Sequence, residues 1–262
     1  MLGVRFSLPA PNLKRENKMK YVKDEMLYEG KAKKIYSIKN FRNQCIMYFK
    51  DDATAFNAEK KSQFEGKGEL NCWISDVLLR AMGDLGVPTH HVEKISEREI
   101  VAHQVDIVPI EVIVRNVAAG TFCKRYGIEN GTALHHHIIE YCVKDDDLGD
   151  PPIAYDAITA LDHQIKNDLD TMTEMTEDVN KYLKAIFHTL GLVLVDFKLE
   201  FGRDYTGDIV LADEICPDTM RLWDPETGAS FDKDLFRFDK GDLLAGYKEV
   251  KRRLCAWSEI PY

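Results

Sequence analysis

Residues 193–214, VLVDFKLEFGRDYTGDIVLADE, decide the fold. Apolar and polar side chains alternate along the first half, and on an extended strand such alternation separates them onto two faces. The apolar face carries Val193, Val195, Phe197, Leu199 and Phe201, and the polar face carries Asp196, Lys198 and Glu200. A turn between Gly202 and Gly207 then returns the chain. The pattern predicts an antiparallel hairpin with one face in the core and one charged face.

Acidic residues from both strands of this hairpin predict a cation site. In the returning strand, Asp213 continues an alternating apolar row. A register that sets Asp213 opposite Asp196 brings both together with Glu200 and Lys198. The carboxylates repel one another unless a cation neutralises them, and Mg²⁺ takes about one or two carboxylates plus nucleotide phosphates. Removing the Asp213 charge should then slightly stabilise the metal-free protein. The alternative is a solvated face on which Lys198 pairs with its neighbours.

Several further segments have clear secondary-structure patterns. Three β-rich runs, at 26–28, 34–38 and 45–49, indicate an antiparallel sheet. Apolar residues at helical spacing predict helices over 68–85, 171–190 and 243–257. Thr171 and Glu174 form a capping box that is expected to begin the second of these helices. The β-branched run 107–114 contains Pro109 near its start. Proline has no N–H to donate to a neighbouring strand, and this loss is tolerable at a sheet edge or crossover. We therefore expect this strand to link two lobes.

The predicted architecture is a two-lobed α+β protein. We expect a poorly ordered extension over residues 1–20, in which Met19 is the natural start, because this segment has two prolines and no sustained periodicity. An N-terminal β-rich nucleotide lobe over 21–110 is followed by a larger C-terminal lobe for substrate and metal over 111–262.

Composition narrows the class of protein. The chain has 262 residues and a formal net charge of −9, which argues against a nucleic-acid surface because phosphate-binding proteins need a broad basic patch. No apolar run approaches the roughly 20 residues needed to span a membrane. The six cysteines are scattered without a C-x-x-C pair and read as reduced thiols. We expect a cytoplasmic protein with neither nucleic-acid nor membrane partners.

Three segments carry groups that could bind anions. The loop 29–33, EGKAK, combines Gly30 with two lysines. The segment 115–121, RNVAAGT, follows the long strand and is expected to open a short helix, whose N-terminus could hold a phosphate. The segment 216–223, CPDTMRLW, could present Asp218 and Arg221. For each there is a plainer alternative: a solvated turn, a helix cap and a surface loop. The runs 135–137 (HHH) and 145–147 (DDD) are expected to be exposed surface without a metal role.

Five ordered blocks resemble the SAICAR synthetase family over about residues 26–255: LYEGKAKKIY, DDATAFNAEKK, VPIEVIVRNVAAGTFCKRYG, LVDFKLEFG and DEICPDTMRLWD. The resemblance implies a kinase-like ATP cleft between the lobes and an ATP-dependent carbon–nitrogen ligase. Such an enzyme joins carboxyaminoimidazole ribonucleotide to L-aspartate, with ATP and Mg²⁺ as cofactors, and is expected to be a homodimer. The chain departs from the family's usual residues at Thr121 and Cys216, where serine is common, and at Ala58, where glycine is common.

The resemblance also implies roles for individual residues. ATP would be bound by Gly30, Lys31, Lys33, Lys144 and the backbone of Ile107 and Val108. The ribonucleotide would be bound by Arg115, Thr121, Asp218 and Arg221. Glu200 and Asp213 would bind Mg²⁺, and Asp196 and Lys198 would be the catalytic residues beside the reacting carboxylate. A small-molecule kinase of the inositol-phosphate type and a non-catalytic nucleotide-binding module remain alternatives, which product analysis with aspartate separates.

A protein that begins at Met19 is expected to keep the melting temperature and activity of the full chain, because the family resemblance begins near Met26. Thermal melting and activity of the two forms check this. Loss of either would mean that residues 1–18 pack on the fold.

Overall fold

The computed structural model describes residues 21–55 and 59–258. The expectations for residues 1–20 and for Ala58 lie outside this part of the chain. Within it, no helix combines the length and the apolar character needed to cross a membrane.

The first sheet has five antiparallel strands in the order β1-β2-β3-β7-β6. Its strands are β1 (Lys23–Glu29), β2 (Lys33–Ile38), β3 (Phe41–Phe49), β6 (His91–Ser96) and β7 (Glu99–His103). A separate hairpin follows β3 and consists of β4 (Asp52–Ala55) and β5 (Lys60–Gln63). The antiparallel sheet predicted from residues 26–49 is confirmed.

The second sheet follows the order β10-β9-β8-β11-β12, and one further strand, β13, also pairs with β11. Its strands are β8 (Asp106–Val117), β9 (Ala133–Val143), β10 (Pro152–Ile153), β11 (Val193–Arg203), β12 (Ile209–Ala212) and β13 (Met220–Trp223). The helices are α1 (Lys67–Asp84), α2 (Gly120–Tyr126), α3 (Tyr155–Leu161), α4 (Lys166–Thr189), α5 (Asp234–Arg237) and α6 (Leu243–Ser258), with a 3₁₀ turn at His163–Ile165. The α+β class is confirmed.

The largest core lies where helices α1, α4 and α6 cover the second sheet. Leu78, Leu183 and Val250 bring the three helices to Val112 of β8 and Phe197 of β11, and all five side chains are buried. The chain leaves the first sheet after His103 and enters the second at Asp106, so the expected division at residue 110 falls inside β8. Helix α1 precedes this division in sequence but packs in the core of the second sheet.

The hairpin exists, but the predicted register is wrong. Glu200 pairs with Ala212 and Phe201 pairs with Leu211, so Asp213 does not lie opposite Asp196. The Asp204 carboxylate accepts hydrogen bonds from the backbone N–H groups of Thr206 and Asp208, which moves the centre of the turn to Thr206.

Asp213 also leaves the predicted apolar row. Strand β12 ends at Ala212, and Asp213 has a φ of 59°, in the left-handed region. Its carboxylate is therefore directed by a turn and not by the alternation of the strand.

One other local prediction, the cap of helix α4, is wrong. Pro109 lies, as expected for a crossover, near the start of the strand by which the chain enters the second sheet, although β8 is central there and pairs with both β9 and β11. It is tolerated there because the β8–β11 register shifts between Glu200 and Gly202, opposite the proline, and such an irregularity removes the need for a ladder hydrogen bond. Helix α4 begins at Lys166, so Thr171 is not its cap; the Thr171 hydroxyl donates to the carbonyl of Asn167 within the helix.

The close approach at Gly202 generates a stability prediction. A Cβ atom there would lie 2.6 Å from the Val105 side chain and 3.2 Å from the carbonyl oxygen of Asp106. Gly202→Ala is therefore expected to lower the free energy of unfolding by about 1–3 kcal/mol, as other overpacked sites do. Urea denaturation measures the change.

Two further variants test the cause. Adding Val105→Ala should recover part of the loss, since it removes the nearest atom, Val105 Cγ2 at 2.6 Å, but keeps Val105 Cβ at 2.8 Å. Gly83→Ala in α1, where a Cβ would meet nothing within 4 Å, should be neutral or stabilising. An unchanged stability of Gly202→Ala would contradict the steric account.

Candidate active site

A cleft of about 1020 Å³ is lined by residues of both sheets. All but one of the predicted site residues line it: Gly30, Lys31, Lys33, Ile107, Arg115, Thr121, Lys144, Asp196, Lys198, Glu200, Asp213, Asp218 and Arg221. Val108 is the exception; its side chain is buried in the main core. A cleft that gathers charged groups from distant parts of a chain is the usual form of a small-molecule site.

Lys198 lies between two carboxylates at the centre of the cleft. Its Nζ atom is 2.6 Å from Glu111 Oε1 and 2.7 Å from Glu200 Oε1, and Lys144 Nζ is 3.0 Å from the same Glu200 oxygen. Burial works against the ammonium of Lys198, but Glu200 and Glu111 outweigh it and raise its pKa above the ordinary value. Glu111 was not predicted. It pairs with Glu200 in the β8–β11 ladder, a neighbour relation that the sequence does not show.

Lys33 holds the other acidic pair. Its ammonium contacts the carboxylates of both Asp213 and Glu214. Burial opposes ionisation of Asp213, yet Lys33 and Lys198 lower its pKa to about 2, whereas burial raises the pKa of Glu214. The expectation that repulsion dominates around Asp213 is therefore wrong, because lysine ammonium groups already neutralise it.

A buried histidine supports the turn at Asp213. The His90 ring Nε2 lies 3.0 Å from the Asp213 carbonyl oxygen. Burial lowers the pKa of His90 to about 4, so the ring is neutral near pH 7 and Nε2–H donates to the carbonyl. The bond fixes the backbone of a residue that would otherwise be strained.

Alternating charges form a row beside the cleft, called here the charge row, and four of its six members line the cleft: Arg115, Asp196, Arg221 and Arg237. The row consists of Glu140, Arg115, Asp196, Arg221, Asp234 and Arg237, in that order. At its middle, Asp196 Oδ2 is 3.2 Å from Arg115 Nη1 and 2.7 Å from Arg221 Nη1. Strands β8, β11 and β13 supply these three residues at adjacent ladder positions. Arg115 and Arg221 are thus held in place before any substrate binds.

The absence of a side chain at Gly120 leaves room for the Arg221 guanidinium group. A Cβ atom at this position would lie 2.7 Å from Arg221 Nη2, and Gly120 has a φ of 58°. The next residue, Thr121, presents its hydroxyl oxygen 3.5 Å from Arg115 Nη2. The predicted short helix is confirmed as α2, and it delivers Thr121 beside the row.

Asp218 contacts two buried residues that were not predicted from the sequence, Lys67 and Tyr247. Its carboxylate oxygens lie 2.5 Å from Lys67 Nζ and 2.5 Å from the Tyr247 hydroxyl, and all three residues are buried. Burial opposes ionisation, but Lys233 and Lys67 lower the pKa of Asp218 below its usual range. Nearby Cys216 is fully buried, and burial raises the pKa of its thiol, so it packs as a neutral group. The 216–223 segment is accordingly not the exposed surface loop of the plainer alternative.

The acidic run 145–147 and the histidine run 135–137 each contain a residue that forms an ion-pair contact. Asp146 Oδ1 is 2.6 Å from Lys31 Nζ, so the acidic run reaches across to the Gly30 loop. The histidine run lies on β9, where His137 Nε2 is 2.8 Å from Glu177 Oε2.

The donors in the cleft fit Mg²⁺ bound together with a nucleotide. Over residues 21–55 and 59–258, no group of three or more His, Cys, Asp or Glu side chains could hold a metal ion. Mg²⁺ with nucleotide phosphates typically needs about one or two carboxylates, and Glu200 and Asp213 both supply hard oxygen donors to the cleft. Lysine ammonium groups now contact both carboxylates, which shows that each accepts a cation.

Comparisons with known proteins identify the family. The family model described as SAICAR synthetase matches residues 26–254. Phosphoribosylaminoimidazole-succinocarboxamide synthase of Roseobacter denitrificans is 49% identical over 231 residues, covering 87% of this chain and 91% of that protein. The synthase of Sphingopyxis alaskensis is 51% identical, with 87% and 89% covered.

Solved structures show the same similarity. A SAICAR synthetase (type 2) in complex with ADP has a TM-score of 0.84 and 45% identity, covering 87% of this chain and 97% of that one. The phosphoribosylaminoimidazole-succinocarboxamide synthase of Ehrlichia chaffeensis has a TM-score of 0.86 and 40% identity, with 91% and 100% covered. The family match, the identities and the shared fold together establish that this chain belongs to the SAICAR synthetase family.

Proposed function

We propose that this chain joins L-aspartate to carboxyaminoimidazole ribonucleotide, using ATP and releasing ADP and phosphate, as an enzyme of purine biosynthesis. The observation that carries the proposal is that one cleft holds both a lysine–carboxylate cluster suited to a metal nucleotide and a preformed row of arginines suited to an anionic substrate. The similarity to a family member solved with ADP supports the nucleotide part.

The nucleotide would lie against the first sheet. Gly30 closes a tight turn by donating its N–H to the Lys33 carbonyl at 2.9 Å, which brings Lys31 and Lys33 to the rim of the cleft. Ile107, which is 41% exposed, faces the same cleft and offers its backbone and an apolar surface to a purine ring. Lys144 would neutralise phosphate charge beside Glu200.

Glu200 and Asp213 would hold Mg²⁺, which neutralises phosphate charge when it is bound. As phosphates enter, the ammonium groups of Lys33 and Lys198 can exchange their carboxylate partners for phosphate oxygens. The carboxylates of Asp213 and Glu200 are then free to bind the metal, so the local charge balance is kept.

The ribonucleotide would lie on the charge row. Arg115 and Thr121 suit a phosphate, and Arg221 and Asp218 suit the rest of the substrate. Asp196 was expected to act beside the reacting carboxylate, but its Oδ2 atom is shared by Arg115 and Arg221. We therefore propose that Asp196 positions these guanidinium groups, whereas Lys198 contacts the reacting carboxylate.

The chemistry requires no protein nucleophile. A substrate carboxylate oxygen attacks the γ-phosphorus of ATP, the bond to the bridging oxygen breaks, and ADP leaves. The amine of aspartate then attacks the acyl carbon, phosphate leaves, and the nitrogen loses a proton. Lys198 and Arg221 stabilise the negative charge that gathers on oxygen during both steps. Family membership further leads us to propose a cytoplasmic homodimer.

ADP release is expected to require Mg²⁺, the ribonucleotide and L-aspartate together, because the metal balances charge and the amine resolves the acyl phosphate. A coupled ADP assay with each component omitted in turn checks this, and mass analysis identifies the product. Turnover with a polyol, and none with the imidazole carboxylate, would favour the kinase alternative. ATP binding without any turnover would favour the non-catalytic module.

Asp213→Asn is expected to weaken Mg-ATP binding by about tenfold or more, or ~1.4 kcal/mol, because a metal-binding charge is lost. The metal-free variant should also lose about 1–3 kcal/mol of stability, since Lys33 loses a buried partner. Asparagine tolerates the left-handed backbone at this position. Mg-ATP titration and thermal melting measure the two effects.

Asp239→Asn is the matched control, because Asp239 also has a positive φ, of 51°, but is exposed and outside the cleft. It should change neither quantity appreciably. If nucleotide affinity stays at the wild-type value in Asp213→Asn while stability falls, Asp213 is a structural ion-pair partner and not a metal ligand.

A further inference from the structure

Lys233 is a partly buried cation of the cleft that has no anionic partner; of the other lining cations in the described part of the chain, only the exposed Lys124 shares this property. Lys33, Lys144, Lys198, Arg115, Arg221 and Arg237 each form an ion pair with a carboxylate. Lys233 also lines the cleft, and within the described part of the chain its ammonium makes no hydrogen bond or ion pair. An unpaired cation in a substrate cleft is poised to bind an anion.

The surroundings of Lys233 explain why the protein does not neutralise it. The carboxylate that acts most strongly on Lys233, Asp218, already bonds Lys67 through one oxygen and Tyr247 through the other, each at 2.5 Å. Burial lowers the pKa of Lys233, and the charges of Lys67 and Arg237 act in the same direction against the pull of Asp218 and Glu214. The ammonium of Lys233 is therefore removed from water without a hydrogen-bonded carboxylate, which costs free energy until an anion arrives.

Arg237 adds a second cationic side chain at this end of the cleft. It ends the charge row, contacts Asp234 through Nη1 at 2.7 Å, and lines the cleft beside Lys233. Asp234 is shared with Arg221, so one carboxylate serves two guanidinium groups. The opposite end of the row, at Arg115 and Thr121, is the end that suits the phosphate of the ribonucleotide. The cleft thus has two separate ends that can take anions, which matches a reaction with two anionic substrates.

We propose that Lys233, with Arg237, binds a carboxylate of the amine substrate, so that this end of the cleft selects an amino dicarboxylate. The inference rests on the proposed ligase function and adds the residues that recognise the amine. A carboxylate placed between an ammonium and a guanidinium gains charge-assisted hydrogen bonds from both. Its carbon chain would then carry the amine back along the row toward the carboxylate at Lys198.

The test is steady-state kinetics of the full-length enzyme with L-aspartate varied at saturating ribonucleotide and Mg-ATP. Lys233→Met keeps the length of the side chain but removes the charge. It should raise the KM for L-aspartate by about 10–100-fold, the loss expected for a hydrogen bond between charged groups. The KM values for the ribonucleotide and Mg-ATP should stay within about twofold. Lys233→Arg should recover most of the affinity, and Lys240→Met, an exposed lysine outside the cleft, is the matched control.

A specificity measurement separates recognition from general damage. The wild-type enzyme should prefer L-aspartate to L-alanine, and Lys233→Met should reduce the ratio of their kcat/KM values by a factor similar to the rise in KM. If Lys233→Met does not fold, Arg237→Gln is expected to shift the same KM and ratio in the same direction. Melting temperatures report whether each variant is folded.

Three outcomes would overturn the inference. A raised KM for the ribonucleotide with an unchanged KM for aspartate would assign Lys233 to the phosphate. Unchanged values for every substrate would make it a structural residue, and the ligase function would still stand. A wild-type enzyme that forms no product from aspartate would remove both the function and this inference.

Discussion

The substrate side of the cleft depends on the carboxylate of Asp196, which is shared by two arginines from neighbouring strands. Asp196 is 4% exposed, so its charge is tolerable only because Arg115 and Arg221 surround it. The same three residues are adjacent in the backbone ladders of β8, β11 and β13. Pairing of the strands and pairing of the charges therefore require each other. The guanidinium groups stay fixed and need no reorganisation when substrate charge arrives, which is the condition for strong electrostatic stabilisation.

On the nucleotide side of the cleft, lysines instead of arginines neutralise the carboxylates. Lys198 and Lys33 each contact two carboxylates, one pair on the strands β8 and β11 and the other at the end of β12. These ammonium groups lie on flexible side chains, unlike the arginines of the charge row, and can exchange one anionic partner for another. The nucleotide side of the cleft is therefore able to rearrange, whereas the substrate side is preformed.

The sequence predicted the elements more reliably than their mutual placement. Alternation identified β11 and its charged face, because period-two patterning is a local property. The hairpin register failed because the Asp204 side chain reshapes the turn. The pattern offered an edge or a crossover for Pro109 and could not show that its strand is central, because the register shift that accommodates the proline leaves no signature in the sequence. The family resemblance named the residues that line the cleft. It did not supply Glu111, Lys67 or Tyr247, which reach the site only through ladder pairing or through contacts such as Lys67 to Asp218, 151 residues apart.

Gly120 shows how narrowly one position can be constrained when backbone and space act together. Its left-handed φ penalises any residue with a Cβ atom, and that atom would also displace the Arg221 guanidinium. Asparagine, which often replaces glycine in left-handed turns, meets the first demand but not the second. A substitution at position 120 would therefore have to be accompanied by a change at residue 221, or by movement of the Arg221 guanidinium away from Asp196.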